Sequence, residues 1–250
     1  MILRPVAAAA LALTTIAVPV LPAQPAALPE VRQIVTFDLQ PGALSRVLGI
    51  YLGPLLKIYE TLQPLLRFRA YLEAESPESL DLVVVSSYRG MAGLDAANHE
   101  LFREGRDGPS VGLLYQEIDR HAIGHHDQFI EMIEALSDPW AQESGGEPQQ
   151  LTVFEYLRVV PGSHAFVEDL IAARVRPFEL DERLHLWSET GRVLVGDGWD
   201  YVRIFGVASL GAWHDALQRT RTAEFQQALA PVVMARKTII LRREPRLSLR

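Results

Sequence analysis

A β-rich stretch that ends in Pro-Gly and opens a helix occurs twice, 120 positions apart, and this duplication restricts the fold more than any other feature of the chain. Val31–Gln40 runs into Pro41-Gly42, and Gln150–Val160 runs into Pro161-Gly162. In the first copy the following helix carries Leu44, Val47, Leu48, Tyr51, Leu52, Leu55, Tyr59 and Leu62 at three- and four-residue spacing, with a kink expected at Gly53-Pro54. In the second copy the helix reads as shorter, marked by Phe166, Leu170 and Ile171. Leu66, Phe68, Ala70 and Leu72 alternate with Arg67, Arg69 and Tyr71, so residues 65–74 form a strand with two unlike faces, turned by Ser76–Ser79. Asp81–Ser86 reads as another strand. Asp200–Phe205 repeats it at an offset of 119, and a helix follows each, over about 92–104 and about 210–220.

Each copy thus reads strand, helix, strand, strand, helix. Lys237–Arg243 gives the second copy a last strand, which completes a split βαβ, or ferredoxin-like, plan of the α+β class. The first copy shows no clear fourth strand. After residue 105 it reads as a loop and a long helix over about 111–136, so its sheet is expected to be incomplete or covered. In its strand, Pro-Gly, helix order and its C-terminal run Ile239–Ser248, the chain resembles the dimeric α/β-barrel superfamily, nearest to NIPSNAP-like and antibiotic-monooxygenase-like domains. The resemblance covers residues 31–105 and 150–248. It implies two ferredoxin-like units whose sheets pack into one barrel, here joined covalently as a pseudo-dimer with an inter-repeat helix. The layout is then a signal peptide (1–23), a Pro-rich lead (24–30), repeat 1 (31–105), the inter-repeat helix and linker (106–149) and repeat 2 (150–250).

The N-terminus reads as an export signal. Arg4 precedes an apolar run from Val6 to Val18, and Pro19, Pro22, Pro25 and Pro29 follow. That run is too short to span a bilayer, and Ala23 is the expected cleavage site; retention as an anchor is the alternative. A periplasmic or secreted protein with no membrane attachment after cleavage is the reading. The chain has no cysteine, so no disulfide, thiolate nucleophile or Cys-ligated metal is available, and stability must come from packing. With 24 basic against 31 acidic residues, a net charge of −7 speaks against a nucleic-acid partner.

Two places could carry chemistry. On the expected inter-repeat helix, Leu114, Ile118, His121, His125, Phe129, Met132 and Leu136 fall on one face, which makes His121 and His125 a candidate i, i+4 metal or haem pair. The Glu that follows the first His in zinc proteases is Ala122 here, and core or pH-sensitive histidines are the alternatives. The strands give the second place. Phe154, Tyr156 and Arg158 share one face against Val153, Leu157 and Val159; Tyr201, Arg203 and Phe205 share one against Val202, Ile204 and Gly206. If the aliphatic faces pack under helices, the barrel lumen receives Asp38, Arg67, Arg69, Tyr156, Arg158, Tyr201 and Arg203. The guanidinium groups there need internal carboxylates or an anionic ligand.

No P-loop, G-x-G-x-x-G or H-E-x-x-H is present in the sequence. The favoured function is the binding of a small apolar or anionic molecule in an Arg- and aromatic-lined lumen. The alternatives are a cofactor-independent monooxygenase-like or haem- or metal-dependent enzyme, and a partner-binding protein with no small-molecule site. The cofactor is left unknown, and a homo-oligomer is compatible with the chain.

Overall fold

The computed structural model describes residues 28–75, 81–103, 110–137 and 151–249. The signal peptide, most of the Pro-rich lead, the Ser76–Ser79 turn and the linker after Ser137 lie outside them. The first copy contributes β1 (Glu30–Leu39), α1 (Leu44–Ile50), α2 (Leu56–Thr61), β2 (Leu65–Glu75), β3 (Leu82–Arg89), α3 (Gly90–Leu101), α4 (Val111–Asp119) and β4 (Ala122–Met132). The second contributes β5 (Leu151–Val159), α5 (His164–Leu170), α6 (Arg176–Asp181), β6 (Trp187–Val195), β7 (Tyr201–Val207), α7 (Leu210–Thr222), α8 (Gln226–Leu229) and β8 (Val233–Leu249). The strands close into one antiparallel barrel in the order β1, β3, β2, β8, β5, β7, β6, β4. Each copy keeps its own ferredoxin-like order. The copies join where β2 pairs β8 and β4 pairs β6, so no strand edge among these eight is left open.

The repeat extends to fine backbone detail. Gly42 and Gly162 take φ of +81° and +86° with open space beside both, so each Pro-Gly turn needs glycine for its backbone and not for room. The Asp81 carboxylate accepts the Leu39 N–H at 2.8 Å, and Asp200 accepts that of Val159 at 2.7 Å, closing the same turn in both copies. Helices α1 and α2 are joined by a π turn (Tyr51–Leu55), and α5 and α6 by another (Ile171–Val175). The second helical stretch is therefore as long as the first, not shorter. Nor does Pro54 cause the distortion, because Arg174 stands at the matching place and the turn is the same.

The expected helix over 111–136 is corrected. Val111–Asp119 is α-helical and Glu134–Leu136 a single 3-10 turn; Arg120 and His121 turn, and Ala122–Met132 is β4, the fourth strand missing from the sequence reading. Gly124, His125, His126 and Asp127 are poor helix formers, and β4 pairs along the whole of β1, from Val31 opposite Glu131 to Leu39 opposite Ala122. Main-chain pairing with a long neighbouring strand outweighs an apolar spacing that fits a helix by coincidence.

Three apolar layers result. Ile34, Tyr71, Val83, Ile130, Phe154, Ile204 and Leu241 fill the lumen. Outside it, Val47, Tyr51, Leu55, Phe68 and Leu82 pack the first copy's helices on its sheet. Leu157, Val167, Ile171, Val175 and Phe225 do the same in the second copy.

Candidate functional site

The middle of the lumen is packed, while a wider space of about 860 Å³ opens at its end beside Arg32, Arg67, Glu131, Glu189 and Arg192. Arg67 and Arg69 on β2 do point into the middle, beside Tyr71, Phe154, Trp187 and Ile204, but the space left there is about 20 Å³, room for one water molecule. Its main ionic contact involves Arg32 and Glu189, neither singled out from the sequence. The Arg32 guanidinium donates to both Glu189 oxygens, at 2.7 and 2.8 Å, and to Glu30 at 2.7 Å. Burial opposes the charge on Arg32, but these two carboxylates outweigh it and raise its pKa. Tyr156 also faces the lumen, with its ring 5.9 Å from Trp199 and 5.7 Å from the Lys237 ammonium. Arg158 is exposed at the barrel end, donating to the Gly198 carbonyl at 2.7 Å and lying over Trp199. Asp38 is half-buried near the end of β1, opposite Gly124.

The lumen assignment of Tyr201 and Arg203 is corrected. Tyr201 and Phe205 pack with the second copy's helices, while Val202 and Ile204 face the lumen and Gly206 lies against the Trp187 ring. All seven residues of β7 are buried, so both faces are dry and polarity does not tell them apart. The charge of Arg203 is met by helix α6 instead. Its Nη2 donates to Glu179 at 2.7 Å, and its Nη1 lies 3.6 Å from Glu155 on β5. Tyr201 donates its hydroxyl to Glu168 at 2.7 Å.

Around this pair, between the outer face of the second copy's sheet and its helices, lies a cavity of about 200 Å³. Its walls are apolar at Leu157, Ile171, Val175, Phe225 and Leu229, and aromatic at Phe205 and Trp213. Its titratable lining is Glu155, Glu179, His185, Arg203, Arg221 and Arg236. A cavity of about 150 Å³ holds benzene, so this one has the size of a ring with a few substituents. His185 stacks on Phe205 with centroids 4.2 Å apart, and the Arg203 guanidinium lies 4.7 Å from the same ring. His185 Nε2 is 3.7 Å from Glu179, so one carboxylate faces both the imidazole and the Arg203 guanidinium. Burial by itself would raise the Glu179 carboxyl, but the Arg203 guanidinium and His185 outweigh it and hold it below the usual carboxylate value. His185 Nδ1 and Arg203 Nε are buried without a hydrogen-bond partner.

The first copy is an internal comparison. Val35 stands opposite Val84 in the β1·β3 ladder where Glu155 stands opposite Arg203 in β5·β7. Tyr59 holds the fourth position of α2, as Glu179 does in α6. The first copy fills the corresponding space with rings: Tyr59 stacks on Phe68 at 4.5 Å, Tyr51 lies 6.3 Å from Phe68, and the Tyr59 and Tyr115 hydroxyls are hydrogen-bonded. A smaller cavity of about 110 Å³ remains beside Tyr59, Leu65 and Leu249. One backbone plan thus carries an apolar, ring-filled layer in one half and a charged, open one in the other.

No protein-family model matches the chain, and no curated protein matches it in sequence. Solved structures match it in shape. A protein described as a monooxygenase from Lactobacillus acidophilus NCFM is 9% identical with a TM-score of 0.61, over 88% of this chain and 98% of that one. A mutant chlorite dismutase from Candidatus Nitrospira defluvii is 12% identical at 0.55, over 87% and 92%. An anthrone oxidase-like protein is 11% identical at 0.55, over 85% and 91%. The chain has the dimeric α/β-barrel fold. In this α/β barrel both halves come from one polypeptide, and the cavity around Arg203 belongs to the C-terminal half.

The candidate histidine pair sits in the other half of the barrel. With residues 122–132 in a strand, His121 and His125 no longer share a helix face. His121 lies in the turn, 3.4 Å from Glu117; His125 lies on β4, 3.7 Å from Asp119 and 3.6 Å from Asp127. Among the described residues no group of three or more His, Asp or Glu is arranged to hold a metal ion. A haem is several times larger than the 200 Å³ cavity, and neither histidine lines it.

Proposed function

We propose that this protein binds a small, mostly apolar molecule in the cavity beneath the helices of its second copy. The observation that carries the reading is the replacement of the Val35/Val84 pair by Glu155/Arg203 at the same ladder position, together with an open, ring-sized space where the first copy is filled by tyrosines. Buried charges are costly and rarely improve stability over apolar residues of similar volume, so a charged cluster in one of two otherwise matching layers suits ligand recognition better than folding. Protein purified from its host should release a stoichiometric organic molecule on denaturation. The variant Leu229→Trp, which fills the cavity, should release none; release at the wild-type level would overturn the reading.

A second reading, an oxygenase acting on the molecule held there, is favoured by the two unpartnered polar atoms, His185 Nδ1 and Arg203 Nε, among the cavity-lining residues, and by the monooxygenase named among the structural neighbours. It predicts that the extracted molecule gains mass when the loaded protein is kept in air. An unchanged mass leaves binding alone. Export is part of the proposal: mature protein recovered outside the cytoplasm should begin at or near Gln24, and an intact Met1 in a soluble cytoplasmic fraction would refute it.

A further inference from the structure

Within the proposed site, the charges are distributed unevenly between its depth and its rim. In the depth one guanidinium faces two carboxylates, since Arg203 is paired with Glu179 at 2.7 Å and approaches Glu155 at 3.6 Å. At the rim the balance is positive. Arg236 on β8, with a third of its side chain exposed, is held loosely, 3.7 Å from Glu155 and 3.3 Å from the side-chain amide oxygen of Gln226. Arg221, in the last turn of α7, lines the cavity, is exposed, and has no hydrogen bond or ion pair among the described residues. Its neighbour Arg219 is engaged, donating to Glu182 at 3.1 Å. No acidic residue besides Glu155 and Glu179 lines the space, so three guanidinium groups face two carboxylates.

We infer that the occupant is an amphiphilic monoanion, a ring-sized apolar carboxylate whose body lies among Leu157, Val175 and Leu229 and whose head meets Arg221 and Arg236 at the rim. A guanidinium presents a planar fork that matches a carboxylate, and two of them beside an apolar cavity select a molecule with one charged end. In the depth the Arg203 charge already faces Glu179 and Glu155, so a second anionic group placed there would meet two carboxylates. This inference rests on the reading of the cavity as the ligand site.

The test uses the full chain and three probes of nearly one shape: para-toluate, para-xylene and para-methylbenzylamine, measured by calorimetry at low salt. Para-toluate should bind about tenfold more tightly than para-xylene and the amine, the size of one added charge-assisted contact. Arg221→Gln, a change at an exposed and unpartnered side chain, should reduce para-toluate affinity several-fold and leave para-xylene unchanged; adding Arg236→Gln should bring the two probes level. Leu229→Trp should abolish both. If para-xylene binds as tightly as para-toluate and Leu229→Trp still abolishes both, the anion inference falls and the cavity reading survives. If no probe binds, or binding ignores Leu229→Trp, the cavity reading falls with it.

Discussion

Arg203 and Glu179 form a 2.7 Å ion pair, both nearly fully buried, at positions that hold Val84 and Tyr59 in the first copy of the same fold. Removing one partner leaves the other charged, dry and alone. Arg203→Leu should therefore cost about 3–5 kcal/mol in chemical denaturation. Rewriting the layer to the first copy's residues, with Glu155→Val, Glu179→Tyr and Arg203→Val together, should recover most of that loss while abolishing ligand uptake. A single Arg203→Leu variant as stable as wild type would show that the pair carries no buried charge.

Acid should loosen the second copy through Glu179. Its carboxyl titrates below the usual value in the folded protein, so the unfolded chain binds the proton first and the stabilisation is present at neutral pH. It is lost as pH falls from the ordinary carboxylate range through the lowered folded value. Unfolding free energy followed from pH 7 to pH 3 should drop less steeply in Glu179→Gln than in wild type. Identical slopes would contradict this.

The packed lumen makes its own prediction at Gly206. A β-carbon there would lie 2.1 Å from the Trp187 ring nitrogen, and the ring has no empty space to move into. Gly206→Ala should cost about 1–3 kcal/mol, as overpacking does, and Trp187→Leu in the same chain should restore much of it. Full stability of Gly206→Ala would mean that the lumen is looser than described.

The duplication can be tested at its two turns. Gly42→Ala and Gly162→Ala each place a side chain at positive φ with nothing within 4 Å to clash against, so the penalty is purely backbone. Both should lower stability by about 1–2 kcal/mol, and by similar amounts. A large difference between them would deny the equivalence of the two turns.

The repeat and the ferredoxin-like plan were legible because Pro-Gly turns and alternating strands are local signals, while the closed barrel followed from the family resemblance. The fourth strand of the first copy was not. Leu114, Ile118, His121 and His125 are spaced for a helix, and only the pairing of β4 along β1, which is non-local, decides against one. The face of β7 was misread for a related reason: when a strand is buried on both sides, alternation of residue types carries no inside and outside. A usable signal was present in β5. Glu155 stands between Val153 and Leu157 on the face expected under the helices, where a carboxylate requires a buried cation. Following that requirement across the sheet leads to Arg203 on β7. Glu179 and His185 come from a helix and a loop, and no spacing rule links them to a strand.

The central claim is that the ligand space lies outside the barrel, under the second copy's helices, and not in the lumen. Crystals of the protein held under xenon pressure test it directly, since xenon enters apolar cavities whatever the chemistry of the natural ligand. The account predicts xenon among Leu157, Val175 and Leu229, and none between Phe154, Trp187 and Ile204. Xenon in the lumen with the outer cavity empty would contradict it.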